Sequence, residues 1–522
     1  MATQVIERQR ISESVSAARN GVGILDRNGA LAVVFITLLA ALLRIHSVGS
    51  KSFWLDEGMS VEYARLPWGV FLRTLWSREA NMAAYYVMLR YWLMMGRSDG
   101  FVRELSVLFS VATIPFVYAL GRRLFDRQTG LVAAFLLAIN AYHIRYAQEA
   151  RGYALVVFLC VLASWLFVRN LQQPLSARWG AYAASCAVAV YSHFYAGLVI
   201  VAHLASLAAR PWKDLPKKEI ARNFIWFTCL TAPIAIFVFR TGPEPISWIM
   251  PVQPNVLLRL GVEFSGNYGE LLLILVVLAI GSASLAAQRA YLKKDGADQV
   301  WSYLFLFSWL FVPLAIVLAA SVLRPLFFTR FLNPCLPALM LLVASGVLSV
   351  RPRMLGWLLL SAVSIFSVLG TAAYYNSDFD VSRPDWRAAA DFVFAKAHPG
   401  DSIFFYHDNG QPPFDFYRWQ RNPPPVWPKS LNPSYATEDS GMEYSMIPGT
   451  SVRAAKPEGD RVWLVLLFSP GPDGLPDKTA TKVRDWFAAG RHRVEVHRPD
   501  PIGIVLFEND SPRPNANNVV AR

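Results

Sequence analysis

Cysteine and charge are both scarce in this chain, and each shortage excludes something. The 522 residues contain four cysteines, Cys160, Cys186, Cys229 and Cys335, all inside apolar blocks and none at a metal-ligand spacing. They form no disulfide framework and serve as small packing residues. Charged residues make up 17% against 54% hydrophobic, with a mean hydropathy of +0.32. No ordinary soluble domain of this length has that balance, so the chain is a polytopic membrane protein. A Gly-rich phosphate fingerprint between a strand and a helix is missing as well: Gly471-Pro472-Asp473-Gly474 reads as a turn. Nor does a small-residue cleavage site follow the first apolar run, where Leu43-Arg44-Ile45-His46 stands, so the start reads as a cytoplasmic tail and an uncleaved helix. Acidic residues are outnumbered 37 to 50, a formal net charge of +13. The basic excess lies in short loops between apolar runs, which is the positive-inside pattern and not a nucleic-acid surface.

What is present is a series of apolar blocks. The segment around Tyr85, Tyr86 and Trp92 is short for a bilayer core and carries Arg90 in its middle, so it reads as lying in the membrane interface. With that one assumption, the loops bearing Arg122 and Arg123, Arg169 and Arg178, Arg210 to Arg222, Arg289 to Lys294, and Arg351 and Arg353 all become cytoplasmic. The expected organisation is a tail over 1–28 and a helical membrane domain over 29–372 with about eleven spans, its first outer loop running over 47–103. An extracytoplasmic α/β domain follows over 373–510, then a disordered tail over 511–522. Within the third part, Pro384-Asp385-Trp386-Arg387 opens a helix, Ser402 to Tyr406 and Val462 to Phe468 read as buried strands, Ala480 to Ala489 as a helix, and 492–497 and 502–508 as strands.

The chemistry gathers on the outer face. Trp54-Leu55-Asp56-Glu57 follows the first span, and acidic side chains at a bilayer edge are functional candidates unless water or a partner accounts for them. Tyr85-Tyr86, Gly121-Arg122-Arg123-Leu124-Phe125, and Tyr146-Ala147-Gln148-Glu149-Ala150-Arg151-Gly152-Tyr153 follow, then Arg330-Phe331-Leu332-Asn333-Pro334 and Arg383-Pro384-Asp385-Trp386-Arg387. In these motifs the chain resembles the GT-C fold membrane glycosyltransferases, most of all the family 39 group. That group contains protein O-mannosyltransferases, the lipid A aminoarabinose transferase and bacterial lipopolysaccharide-core enzymes. One departure is Asn81-Met82-Ala83-Ala84, where relatives often carry a Pro-rich run ahead of the tyrosines.

The resemblance implies transfer of a sugar from a polyprenyl-phosphate donor to a lipid, glycan or protein hydroxyl at the extracytoplasmic face of the plasma membrane. Asp56 matches the family's catalytic Asp, and a carboxylate at hydrogen-bond distance can take the acceptor proton. Glu57 would orient it or hold the acceptor, and Glu149 replaces an Asp of some relatives. Arg330 and Arg151 are candidates for the donor phosphate; for Arg330 the alternative is interfacial anchoring. Tyr85, Tyr86, His143, Gln148 and His193 are accessory candidates. With Asp56 and Glu149, the two histidines could form a weak divalent-metal site of mixed ligands. Pro243, Pro245, Pro251 and Pro254 surround Trp248 and Met250 in an outer loop suited to covering a prenyl chain. A transporter of lipid-linked sugars would be expected to show mid-bilayer carboxylates and paired repeats, and neither is evident. A non-catalytic scaffold is the other alternative.

Overall fold

The computed structural model describes residues 27–510 except 175–176, 212, 214, 243–245, 247, 294–295, 377–383, 407–409, 422–427, 433–435, 438–440, 443–458, 468–477 and 498–501. Most of the expected N-terminal tail, the expected C-terminal tail, Pro243, Pro245, Arg383, most of the Pro-rich stretch 421–460 and the turn at 471–474 therefore lie outside the described residues.

The helices in chain order are α1 (Arg27–Ile45), α2 (Leu55–Arg65), α3 (Trp68–Ser77), α4 (Ala83–Trp92), α5 (Asp99–Leu124), α6 (Arg127–Ala138), α7 (Ala141–Ala147), α8 (Tyr153–Gln172), α9 (Trp179–Ser192) and α10 (Ala196–Ser206). They continue as α11 (Lys217–Thr241), α12 (Val256–Ser265), α13 (Gly269–Tyr291), α14 (Ala297–Ser321), a 3-10 turn (Thr329–Cys335) running into α15 (Leu336–Ser349), and α16 (Arg353–Asn376).

Among the described residues, eight helical stretches are long and apolar enough to cross a membrane: α1, α5, α8, α11, α13, α14, the 3-10 turn with α15, and α16. Of the about eleven expected spans, one is instead the pair α6 and α7, bent by 61° at the break. Asn140 makes that break, since its side chain accepts the His143 amide at 2.9 Å as the cap of a new helix. The other two expected spans are the short helices α9 and α10, with 14 and 11 residues. On α1, Leu31, Phe35, Leu38 and Leu42 are each at least 60% exposed at helical spacing, an apolar stripe suited to lipid.

Helix α4 is the segment read as interfacial. Its 10 residues reach about 15 Å, half a bilayer core. Arg90 does not protrude into lipid: it donates to the Ala64 carbonyl at 3.0 Å and lies over the Trp68 ring.

The C-terminal part contains α17 (Trp386–Lys396), β1 (Ser402–Tyr406), α18 (Gln411–Gln420), β2 (Lys429–Ser430), a short antiparallel pair β3 (Ala436–Thr437) and β4 (Gly441–Met442), then β5 (Arg461–Leu467), α19 (Lys478–Ala488), β6 (Arg491–His497) and β7 (Ile502–Asn509). The main sheet has the order β2-β1-β5-β7-β6, parallel on the β2-β1-β5 side and antiparallel on the other. The expected strands and helices appear within a few residues of their expected bounds. Helix α18, opened by Pro412 and Pro413 in its first turn, was not expected.

Helix α18 is what fastens this domain to the segment between α1 and α5. Phe416 stacks on Phe53 with ring centroids 3.9 Å apart. The Tyr417 hydroxyl accepts the Phe53 amide at 2.8 Å and donates to Asp99 at 2.8 Å. Arg387 of α17 pairs with the same Asp99 at 2.7 Å. A Cβ on Gly58 would come within 2.5 Å of the Pro413 nitrogen, so the two backbones meet at a residue that must lack a side chain.

Candidate active site

The stretch carrying Asp56 and Glu57 is the first turn of α2. Successive residues on a helix diverge by about 100°, so the two carboxylates face different surroundings.

Glu57 points inward and has no exposed surface. Its two oxygens accept from Arg103 Nε and Nη2, each at 2.7 Å, a bidentate pair. The Ala150 amide donates to the same carboxylate at 2.8 Å. Arg103 spends its remaining donors on the Val48, Lys51 and Ser52 carbonyls. One ion pair thus ties together α2, α5, the chain leaving α1 and the 148–152 turn.

Asp56 points the other way, into a partly open cleft, with 18% of its side chain exposed. Its Oδ2 lies 3.2 Å from Arg330 Nη2 and 3.7 Å from Arg151 Nη2. Arg151 Nη1 donates to the Asp56 carbonyl, Ser60 Oγ and Tyr86 Oη at 3.3, 3.2 and 3.1 Å. Arg330 is surrounded by the rings of Phe328, Trp54, Trp248, Tyr153 and Phe331, with centroids 4.7 to 6.0 Å from its guanidinium carbon. Two guanidiniums and a carboxylate therefore converge in an aromatic, largely dry setting, where charge interactions are strong.

Two titratable groups border this cluster. Burial pushes the Glu79 carboxyl up to about 7, with Arg151 opposing the shift and the Asp56 charge adding to it. His193 is buried, and burial together with Arg151 and Arg330 lowers it to about 3, so it is neutral. Its Nδ1 accepts the Tyr195 amide at 3.2 Å, which puts the proton on Nε2; that atom has no hydrogen-bond partner among the described residues.

The family model for dolichyl-phosphate-mannose-protein mannosyltransferases matches residues 79–239. No curated protein sequence matches the chain. Among solved structures, ArnT from Cupriavidus metallidurans bound to undecaprenyl phosphate is similar at 14% identity and a TM-score of 0.60, over 92% of this chain and 98% of that one. The apo form of that protein is similar at 13% identity and 0.58, over 91% and 97%. The Archaeoglobus fulgidus oligosaccharyltransferase in complex with zinc and sulfate is similar at 13% and 0.50, over 83% of this chain and 67% of that one. The chain has the GT-C fold.

Within this GT-C protein the expected residues divide into three groups. Asp56, Arg330 and Arg151 meet at the cleft, with Trp248 beside Arg330 and His193 behind it. Tyr86 holds Arg151 directly, and Tyr85 supports it at one remove: its hydroxyl meets Ser106 Oγ at 2.9 Å, and Ser106 donates to the Arg151 carbonyl at 3.1 Å.

The third group does not reach the cleft. Glu57, expected beside Asp56, is enclosed by Arg103 and Ala150, so it positions the loop and touches no acceptor. Glu149 is fully buried, 3.7 Å from Arg145. His143 accepts from Arg44 Nη2 at 2.7 Å inside the bundle. Gln148 donates to the Arg44 and His46 carbonyls and accepts from Tyr374, a brace between α1 and α16. The metal set proposed from Asp56, Glu149, His143 and His193 is not assembled. Among the described residues no three metal-ligating side chains converge, and guanidiniums occupy the positions beside Asp56 and His143.

Sequence reading missed Arg44, Arg103 and Glu79. Arg44 and Arg103 stand within apolar helices, and a charge there with no local partner is the signal that a distant one exists.

Proposed function

We propose that the chain transfers a sugar from a polyprenyl-phosphate donor to an acceptor hydroxyl, with Asp56 as the general base. The observation that carries this reading is the Asp56 carboxylate lying 3.2 Å and 3.7 Å from two largely buried arginines at a partly open cleft. Solution of a protein of the same fold with undecaprenyl phosphate supports a prenyl-phosphate donor here.

In the proposed step the acceptor O–H gives its proton to Asp56, and its oxygen forms the new bond to the sugar's anomeric carbon. The bond from that carbon to the phosphate oxygen breaks, and polyprenyl phosphate leaves with the electron pair. Negative charge grows on the departing phosphate, where Arg330 and Arg151 stabilise it as fixed donors that need no reorganisation. The Nε2–H of neutral His193 adds a donor on the same side. Trp248, Phe328 and Phe331 shield the cluster, and the exposed Met250 and Val252 of the same loop extend an apolar surface suited to the donor's prenyl chain. Tyr86 and Ser60 keep Arg151 aligned, while the Glu57–Arg103 pair holds α2 against the 148–152 turn.

The test is to incubate the purified protein with a panel of polyprenyl-phosphate sugars and envelope extracts as acceptors. Mass spectrometry would follow release of polyprenyl phosphate together with a glycosylated product. Release from none of the donors would overturn the reading; release without a glycosylated product would reduce it to hydrolysis.

A further inference from the structure

A second polar site lies far from Asp56. Arg103, next to Glu57, is in the second turn of α5, and Arg123 is in its last turn, about 30 Å further along the axis. At that end is a cavity of about 830 Å³ bordered by Arg123, Arg210, Arg289, Lys293 and Arg351. Among the described residues two carboxylates also line it, fewer than the five cations. Asp126 is committed as the cap of α6, accepting the Thr129 amide at 2.8 Å. Asp298 is 96% exposed and 3.4 Å from Arg210. Arg289 and Lys293 have no ion pair among the described residues.

Three further features favour an anion. The first turns of α14 line the cavity through Gln299, Trp301 and Ser302, which places the positive end of that helix dipole there. Trp301 is 1% exposed, and its indole N–H has no hydrogen-bond partner among the described residues. Such a buried donor calls for an acceptor. The Arg210 guanidinium lies 4.0 Å from the centre of the Trp301 ring, which fixes that cation at the wall. On the flank of α13 next to Arg289, and outside the cavity lining, Leu285 and Leu292 are 52% and 82% exposed on a helix apolar enough to cross a membrane. A soluble ion gains nothing from such a flank, whereas acyl chains do.

We propose that this cavity is a binding site for the phosphate headgroup of an anionic phospholipid in the leaflet opposite the Asp56 cleft. The cations neutralise the phosphate, the end of α14 and the Trp301 N–H donate to it, and the exposed residues of α13 meet its chains. Basic pockets between membrane helices bind anionic headgroups in this way. The assignment is independent of what the Asp56 cleft transfers.

The test uses the full chain in detergent, with lipid retention read by native mass spectrometry. Phosphatidylglycerol and cardiolipin should be retained in preference to phosphatidylcholine. One basic residue near a charged membrane surface changes binding roughly fivefold, so the variant R123Q/R289Q/K293Q should bind phosphatidylglycerol on the order of 100-fold more weakly. K218Q/R222Q, on another basic stretch, should bind as the parent does. Arg289→Gln alone should weaken binding about fivefold and Arg289→Lys should restore it, which keeps the idea testable if the triple variant does not fold. Equal loss in K218Q/R222Q, or no preference over phosphatidylcholine, would overturn the site. Displacement of the lipid by millimolar inorganic phosphate would reassign the cavity to a soluble anion and overturn the headgroup proposal.

Discussion

Asp56 and Glu57 are chain neighbours, each beside arginine, yet they sit in opposite kinds of site. The Glu57 region is closed: both oxygens are bonded at 2.7 Å, the pair is dry, and four segments meet on it. The Asp56 region is looser, at 3.2 and 3.7 Å, with part of the carboxylate facing a cleft. A bidentate buried pair has no capacity left for a substrate. A carboxylate held only from one side, by cations with other duties, can still meet an incoming hydroxyl. The same two residue types thus make a clamp on one face of α2 and, in the proposed reaction, the base on the other.

The largest expected effect tests the clamp. Glu57→Gln leaves Arg103 charged in a dry interior, and breaking a buried pair from one side costs about 3–5 kcal/mol. Unfolding in detergent should show that loss, and the apolar double replacement Glu57→Leu with Arg103→Met should recover much of it. A Glu57→Gln variant as stable as the parent would erase the contrast between the two regions.

Next is Arg330→Ala, on the open side. Losing a charge-assisted contact to a phosphate should weaken polyprenyl-phosphate binding by about 10- to 100-fold, on a scale of 1.5–3 kcal/mol. The unfolding midpoint should barely move, because Arg330 does not bind the segments together as Arg103 does. An equal loss of stability would mean that the cleft is a second clamp. Tyr86→Phe removes one hydrogen bond to Arg151 and should cost about 1 kcal/mol, seen as a severalfold fall in turnover with little change in fold.

The smallest effect concerns Glu79. Its carboxyl rises from 4.5 in the open chain to about 7 in the folded protein. The folded state therefore holds a proton that the unfolded state gives up. This contribution to stability is complete below pH 4.5 and is lost as pH rises through about 7. Glu79→Gln should flatten that part of the stability profile, and an unchanged slope would remove Glu79 from the electrostatics of the cleft.

The membrane fold was legible because apolar blocks and basic loops are strong local signals. The C-terminal sheet was legible from short apolar runs such as Val462 to Leu467. The clamp was not. Its partners Glu57 and Arg103 are 46 residues apart, and the separate buried contact Arg44–His143 spans 99, so no local pattern joins either pair. Read as a loop, Asp56-Glu57 looked like one acidic dyad; as the first turn of a helix, the same pair must diverge. Gln148 belonged to a motif from which Arg151 reaches Asp56, and His143 stands just before it, but after the bend at Asn140 both contact Arg44 instead. Glu79 gave no signal because its shift comes from burial in the folded chain, with the Asp56 charge adding to it and Arg151 opposing it.

The central claim, that Asp56 is the base and the arginines hold the donor, is tested most directly by Asp56→Asn in a single-turnover assay with donor binding measured in parallel. The substitution keeps the size and much of the hydrogen bonding while removing the proton acceptor. We expect transfer to fall by roughly 10²-fold or more. Polyprenyl-phosphate affinity should stay within about threefold of the parent, since Arg330 and Arg151 remain to bind phosphate. Near-normal transfer by Asp56→Asn would contradict the account, as would a loss of transfer fully explained by lost donor binding.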